Sequence, residues 1–232
     1  MITLRRAEDR GATKLHWLDS RHTFSFGDYY DAKQIGYSSL RVINEDRVAP
    51  GAGFPTHSHR DMEIITYVLE GALAHKDSTG ASSVIRVNDV QRMSAGTGIS
   101  HSEYNAPQTE PVHFQQIWII PDEMGLVPGY EQKALSLDNN QGRWTLIASK
   151  EGRDGSVTVH QDADVWTARF SPGEQATFRL KPGRHLWTQM ARGAATLNGT
   201  LLRAGDGAAA SQEEILEFKA VEDAELLLFD LT

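Results

Sequence analysis

Short runs rich in Val, Ile, Thr, Trp and Phe recur along the chain, and polar turn segments cut them apart. Val42-Ile43, Ile64 to Leu69, Val84 to Val87, His113 to Ile120, Trp144 to Ala148, Val157 to His160, Trp166 to Phe170, Ala176 to Leu180, Leu186 to Met190, Ala195 to Leu197 and Leu226 to Leu231 all read as strands. Turn signals fall between them at intervals of about 8–12 residues. Among these signals are Asp77-Ser78-Thr79-Gly80, Pro128-Gly129, Asp154-Gly155, Pro172-Gly173, Pro182-Gly183 and Gly205-Asp206-Gly207. Asn198-Gly199 predicts a two-residue hairpin. No long segment sustains helical periodicity. Asp61 to Leu69 could be read as a helix, but its Ile-Ile-Thr-Tyr-Val content favours strand. The pattern predicts an all-β protein of sandwich or barrel type.

The chain has 232 residues, enough for one large β domain or two smaller ones. Pro121, Pro128-Gly129 and the polar run Leu137 to Arg143 suggest a connection. The expected division is therefore 1–133 and 134–232. Each half also carries a strand, a Gly-centred turn and a returning strand, at Leu69 to Leu73 and at Met190 to Leu197, which hints at duplication.

Composition narrows the chemistry. Hydrophobic residues make up 40% and charged residues 23%, so disorder over most of the length is disfavoured. The net charge is −8 and no Lys/Arg run exceeds the pair Arg5-Arg6, which argues against direct nucleic-acid binding and against an anionic membrane surface. With no cysteine, disulfides, thiolate metal sites and cysteine nucleophiles are excluded. Residues 1–10 lack the apolar core of a secretory signal, and no apolar stretch has the length of a membrane span. A cytoplasmic protein is expected.

The histidines are unevenly placed. His57 and His59 follow Gly51-Ala-Gly-Phe-Pro-Thr, and His101 and Glu103 follow Gly96-Thr-Gly-Ile-Ser. A spacing of two on an extended strand puts both members of a pair on one face. Two facing strands inside a barrel would bring all four together. Three imidazoles and one carboxylate suit Fe(II), Mn, Co, Ni, Cu or Zn. A lone His-x-His is common by chance; the second pair, framed by glycines in an all-β context, makes a metal site the stronger reading. Glu63 counts by strand parity onto the face of His59, so it is expected to orient a ligand imidazole, with direct ligation as the alternative. His75 lies near a hairpin turn and is expected to be structural. His113, Gln115 and Gln116 lie on a late strand, and parity alone leaves open which of them face inward. His160 and His185 are isolated.

These segments resemble the cupin signatures. Gly51, His57, His59, Glu63 and Gly71 follow the first motif, with the last gap one residue longer than usual. Gly98, His101 and Asn105 follow the second, with Gly96 in place of its Pro and Val90 in place of its leading Gly. The position of Glu103 is the pirin pattern. Trp17-Leu-Asp-Ser-Arg-His22-Thr-Phe-Ser-Phe26, Tyr67-Val-Leu-Glu-Gly71 and Met93-Ser-Ala-Gly-Thr-Gly98 are pirin-like as well, and the match is dense through residues 1–125 and vague afterwards. Within that stretch His22 is expected to pack against Phe24 or Phe26.

The resemblance implies a bicupin: two β-barrel (jelly-roll) domains in tandem. It implies one divalent metal, iron first, in the N-terminal barrel on His57, His59, His101 and Glu103, and a C-terminal barrel without ligands. Bacterial pirin-like proteins include quercetin 2,3-dioxygenases. The implied substrates are a flavonol-like aromatic and O₂, with Glu103 as catalytic base and Phe54, Met62, Met93 and Trp118 as candidate walls. A competing reading is a metal-dependent regulator that binds a transcription factor or metabolic enzyme. A phosphosugar isomerase ranks last, because only Arg60 lies near the ligand segments to hold phosphate.

Overall fold

The strands that read as nearly unbroken apolar runs are covered on both faces. The computed structural model describes residues 1–107 and 109–232 and contains twenty-two strands, with no α-helix among the described residues. The first twelve are β1 (Ile2–Arg5), β2 (Gly11–Lys14), β3 (Leu18–His22), β4 (Leu40–Val48), β5 (Gly53–His59), β6 (Glu63–Glu70), β7 (Ala72–Asp77), β8 (Ser82–Arg86), β9 (Asp89–Ser94), β10 (Ile99–Asn105), β11 (Val112–Ile119) and β12 (Gly129–Ala134). The remaining ten are β13 (Thr145–Ser149), β14 (Val157–Thr158), β15 (Ala163–Phe170), β16 (Gln175–Arg179), β17 (His185–Arg192), β18 (Ala194–Leu197), β19 (Thr200–Arg203), β20 (Gly207–Ser211), β21 (Ile215–Ala220) and β22 (Ala224–Leu231).

They form four sheets. Seven strands in the order β12-β9-β6-β11-β4-β3-β2 make the large N-terminal sheet, and β5-β10-β7-β8 make the small one facing it. The C-terminal half repeats the plan, with β1-β20-β17-β22-β15-β13-β14 as the large sheet and β16-β21-β18-β19 as the small one. This is an all-β bicupin. One departure from simple tandem order is β1, which pairs with β20 at the edge of the C-terminal sheet, Ile2 opposite Ala210.

The two large sheets pack on each other. Ile43, Ile65, Tyr67 and Ile117 from one meet Val165, Trp187, Leu227 and Phe229 from the other in a shared apolar core. The opposite faces look into each barrel. In the N-terminal barrel two apolar clusters fill the ends, one around Val68, Leu73, Ile85 and Phe114 and one around Ile64, Met93, Ala95 and Ile99. Alternation along β6, β9 and β11 therefore separates an interface face from a barrel face. Burying a side chain such as Ile65 or Phe229 contributes roughly 1.5–3 kcal/mol.

Candidate metal centre

The small N-terminal sheet carries both expected ligand pairs. β5 and β10 are antiparallel neighbours with His57 opposite His101, so the two pairs lie side by side in one sheet rather than on facing strands. The register slips between His101 and Glu103, which leaves Glu103 opposite Phe54. Such a slip re-aims a side chain without ending the strand. Gly53 makes the pairing close enough: a Cβ there would stand 2.2 Å from the carbonyl oxygen of Glu103. On the other side of β10, β7 places Asp77 opposite His101 and His75 opposite Glu103.

The imidazoles converge. Nδ1 of His57 lies 2.8 Å from the Pro55 carbonyl. Its N–H donates there, which leaves the Nε2 lone pair free. Nε2 of His59 and Nε2 of His101 are 3.0 Å apart. One ring nitrogen from each of His57, His59 and His101 falls within 4.8 Å of the others. Nitrogens held at about 2.0–2.1 Å from one ion stand roughly 3 Å apart, so this set fits a shared metal. Burial lowers the pKa of His101 to about 3 and that of His59 to about 4, with neighbouring imidazoles adding to the effect. Both rings stay neutral near pH 7, the form a metal takes.

Glu103 is buried, and its carboxylate groups with His101 and His75, again within 4.8 Å. Burial raises its pKa to about 7; Gln116 opposes that shift and the nearby Asp46 adds to it. Gln116 Nε2 donates to both carboxylate oxygens, at 3.1 and 2.9 Å. Thr66 donates to Gln116 Oε1 at 2.8 Å, which fixes the amide orientation. His75, expected to be merely structural, is buried with Nε2 3.0 Å from Asp77 Oδ2 and Nδ1 3.5 Å from His101 Nδ1. It braces the His101 imidazole.

A cavity of about 110 Å³ opens beside the imidazoles, lined by Phe26, Phe54 and Trp118 together with His57, His59 and Glu103. Trp118 meets His59 edge-on at 4.9 Å. Of the expected walls, Met62 and Met93 lie elsewhere, packed with Ile64 and Ile99. Gln116 faces this cavity, whereas His113 turns the other way onto Glu45, Nε2 to Oε1 3.0 Å. His22 packs against Phe26 as expected, with ring centroids 5.3 Å apart, and lines the cavity as well; sequence reasoning missed Ser20, Asn44 and Asp46, which also line it. Asn44 and Asp46 sit at alternate positions of β4, but Glu45 and Arg47 between and beyond them make that stretch polar on both faces, so no local pattern marks the pair.

Glu63 corrects an expectation. It neither ligates nor orients an imidazole of the site. Its Oε2 accepts from Ser94 Oγ at 3.0 Å and from the backbone and ring of His160, both at 3.2 Å. Asp61 adopts a left-handed φ of 49° between β5 and β6, so parity counted from His59 does not carry across. His160 is thereby tied to the N-terminal half, while His185 packs edge-on against Tyr37 at 6.1 Å. Arg60 is exposed and, among the described residues, pairs only with Asp61.

Family models match in two parts: Pirin over residues 4–119, and the quercetinase C-terminal cupin domain over residues 146–231. A protein of Escherichia coli named quercetin 2,3-dioxygenase is 47% identical over 231 residues, covering 100% of this chain and 99% of its own length. A bacterial pirin from Escherichia coli, solved in complex with nickel(II), superposes with a TM-score of 0.94 at 46% identity, covering 100% of this chain and 99% of that one. A quercetin 2,3-dioxygenase structure from Acinetobacter baumannii shares the fold, with a TM-score of 0.77 at 23% identity over 99% of this chain and 85% of that one.

Proposed function

The chain belongs to the pirin family, and from that premise we propose that it is a metal-dependent quercetin 2,3-dioxygenase, opening the heterocyclic ring of flavonols with O₂ and releasing carbon monoxide. One observation carries the reading: the nitrogens of His57, His59 and His101 converge next to Glu103 at a cavity walled by aromatic rings. In this reading His57, His59, His101 and Glu103 hold one divalent ion, iron(II) first. The nickel complex of the related pirin supports a metal of this class. The unit 1–133 carries the site and 134–232 supports it.

A bound divalent metal supplies Lewis-acid stabilisation of charge developing on the substrate oxygens. The chain's own side chains do the rest. Glu103 takes the proton of the flavonol 3-hydroxyl on a carboxylate oxygen. Gln116 keeps that carboxylate turned toward the cavity. Phe54 and Trp118 clasp the flat rings and keep water out. Both atoms of O₂ end in the products, and one ring carbon leaves as carbon monoxide.

The test is incubation of iron-loaded protein with quercetin in air, following flavonol absorbance and carbon monoxide. Metal-dependent loss with carbon monoxide release is expected, and His101→Ala should lose both stoichiometric metal and turnover. A filled site that leaves quercetin untouched with iron, nickel, cobalt and manganese would overturn the enzyme reading and favour a metal-dependent binding protein.

A further inference from the structure

A polar ribbon crosses the inner face of the large N-terminal sheet. Gln91, Thr66, Gln116, Asn44 and His22 are successive cross-strand partners on β9, β6, β11, β4 and β3. Most of its polar groups are consumed internally. Thr66 bonds Gln116, and Gln116 bonds Glu103. His22 Nδ1 lies 2.8 Å from Asn44 Oδ1 and its Nε2 2.9 Å from Thr13 Oγ1.

Two residues along β4 from Asn44, on the same face, Asp46 stands opposite Ser20 and lines the cavity with Glu103. Asp46 is only 5% exposed. Oδ1 of its carboxyl group has no hydrogen-bond partner among the described residues. Trp118, on another wall of the cavity, likewise has its indole N–H buried without a partner. A buried acceptor and a buried donor without partners, on residues that border one cavity, each carry a desolvation cost that a ligand group reaching them would remove. A cavity of about 110 Å³ accepts little more than one six-membered ring, since roughly 150 Å³ holds benzene.

We propose that Asp46 is a specificity-determining residue of this site: its carboxyl group receives the hydrogen bond of a second ring hydroxyl when the first hydroxyl sits at the metal. The substrate class is then narrower than a flavonol bearing the 3-hydroxyl alone. It is an aromatic ring system that carries a further hydroxyl on the portion entering the cavity. Asp46 lies outside the set of expected metal ligands, so its effect is on selection among substrates. This rests on the flavonol reading above.

The experiment compares quercetin with 3-hydroxyflavone, which keeps the 3-hydroxyl and lacks the others. Both are titrated anaerobically into metal-loaded protein by absorbance, and KM and kcat are measured separately in air. Wild-type protein should favour quercetin by roughly ten-fold or more in dissociation constant and in KM. In Asp46→Ala that ratio should collapse toward one, with metal content unchanged. Asp46→Asn, which keeps shape and a weaker acceptor, should give an intermediate ratio, and it serves if the alanine variant does not fold. A purely structural role would weaken both ligands alike and leave the ratio standing, which overturns the proposal. So would a wild-type ratio near one. Selective anaerobic binding without turnover would sink the dioxygenase reading while leaving the subsite intact; binding of neither flavonol to the loaded wild type would sink both.

Discussion

At the scale of single residues, Gln116 is the side chain on which the geometry of Glu103 depends. Its amide holds both carboxylate oxygens, and Thr66 holds the amide. Outer partners of this kind commonly set metal affinity by about 10–100-fold. Gln116→Leu should therefore weaken metal binding by that order, read by competition with a chelator of known affinity. Unchanged affinity would show that Glu103 is positioned by the fold alone. The buried acids also give a pH dependence. Burial holds Asp46 and Glu103 near pH 7 in the metal-free protein. Their unfolded counterparts ionise near pH 4, so raising the pH through about 4 to 7 favours unfolding. His59 and His101, held at about 4 and about 3, act in the opposite direction and cost stability only below about pH 6.5. The thermal midpoint of metal-free protein should thus be lower at pH 8 than at pH 6, and Asp46→Asn should shrink the difference by several degrees. An equal difference in that variant would remove Asp46 from the account.

At the scale of elements, the most visible strands were the doubly covered ones. Ile64 to Leu69 lies inside β6, His113 to Ile120 overlaps β11, and Leu226 to Leu231 lies inside β22. Burial on two faces favours apolar residues at most positions, and that stands out in a sequence. Strands whose residues answer to a neighbour rather than to their own propensity stayed hidden. β20 reads Gly-Ala-Ala-Ala-Ser, with no β-branched residue, because a large ring lies over it: a Cβ at Gly207 would stand 2.4 Å from the Trp187 indole. The shared faces of His57 with His59 and of His101 with Glu103 were legible, since a spacing of two translates directly into one face. Their neighbours were not. Which strand lies next to which is a long-range choice, so His75 beside His101 and Asp46 beside Glu103 had no local signature. Glu63 failed for the opposite reason: a single left-handed residue, Asp61, broke the count.

At the scale of the whole molecule, the two barrels share one core. Ile43, Ile65 and Ile117 have apolar partners across the interface, and Tyr67 donates to Glu225 at 2.5 Å beside Arg169. Arg192 reaches back to the Leu69 carbonyl at 2.6 Å. On the N-terminal side, Glu63, Arg92 and Glu131 grip the segment from Thr158 to His160. A fragment of residues 1–133 would expose the apolar face of its large sheet and should aggregate, while the full chain should melt in one calorimetric transition. Two separated transitions would show that the barrels are independently stable. The pairing of β1 with β20 bears on how the protein is made. Synthesis is vectorial, so Ile2 emerges from the ribosome some 200 residues before its partner Ala210. The strand that is translated first is seated among the last, and until then a nascent chain carries it as a free β edge. Nascent chains stalled before residue 207 should therefore be preferred clients of chaperones that recognise extended segments, and release of the complete chain should end that attraction.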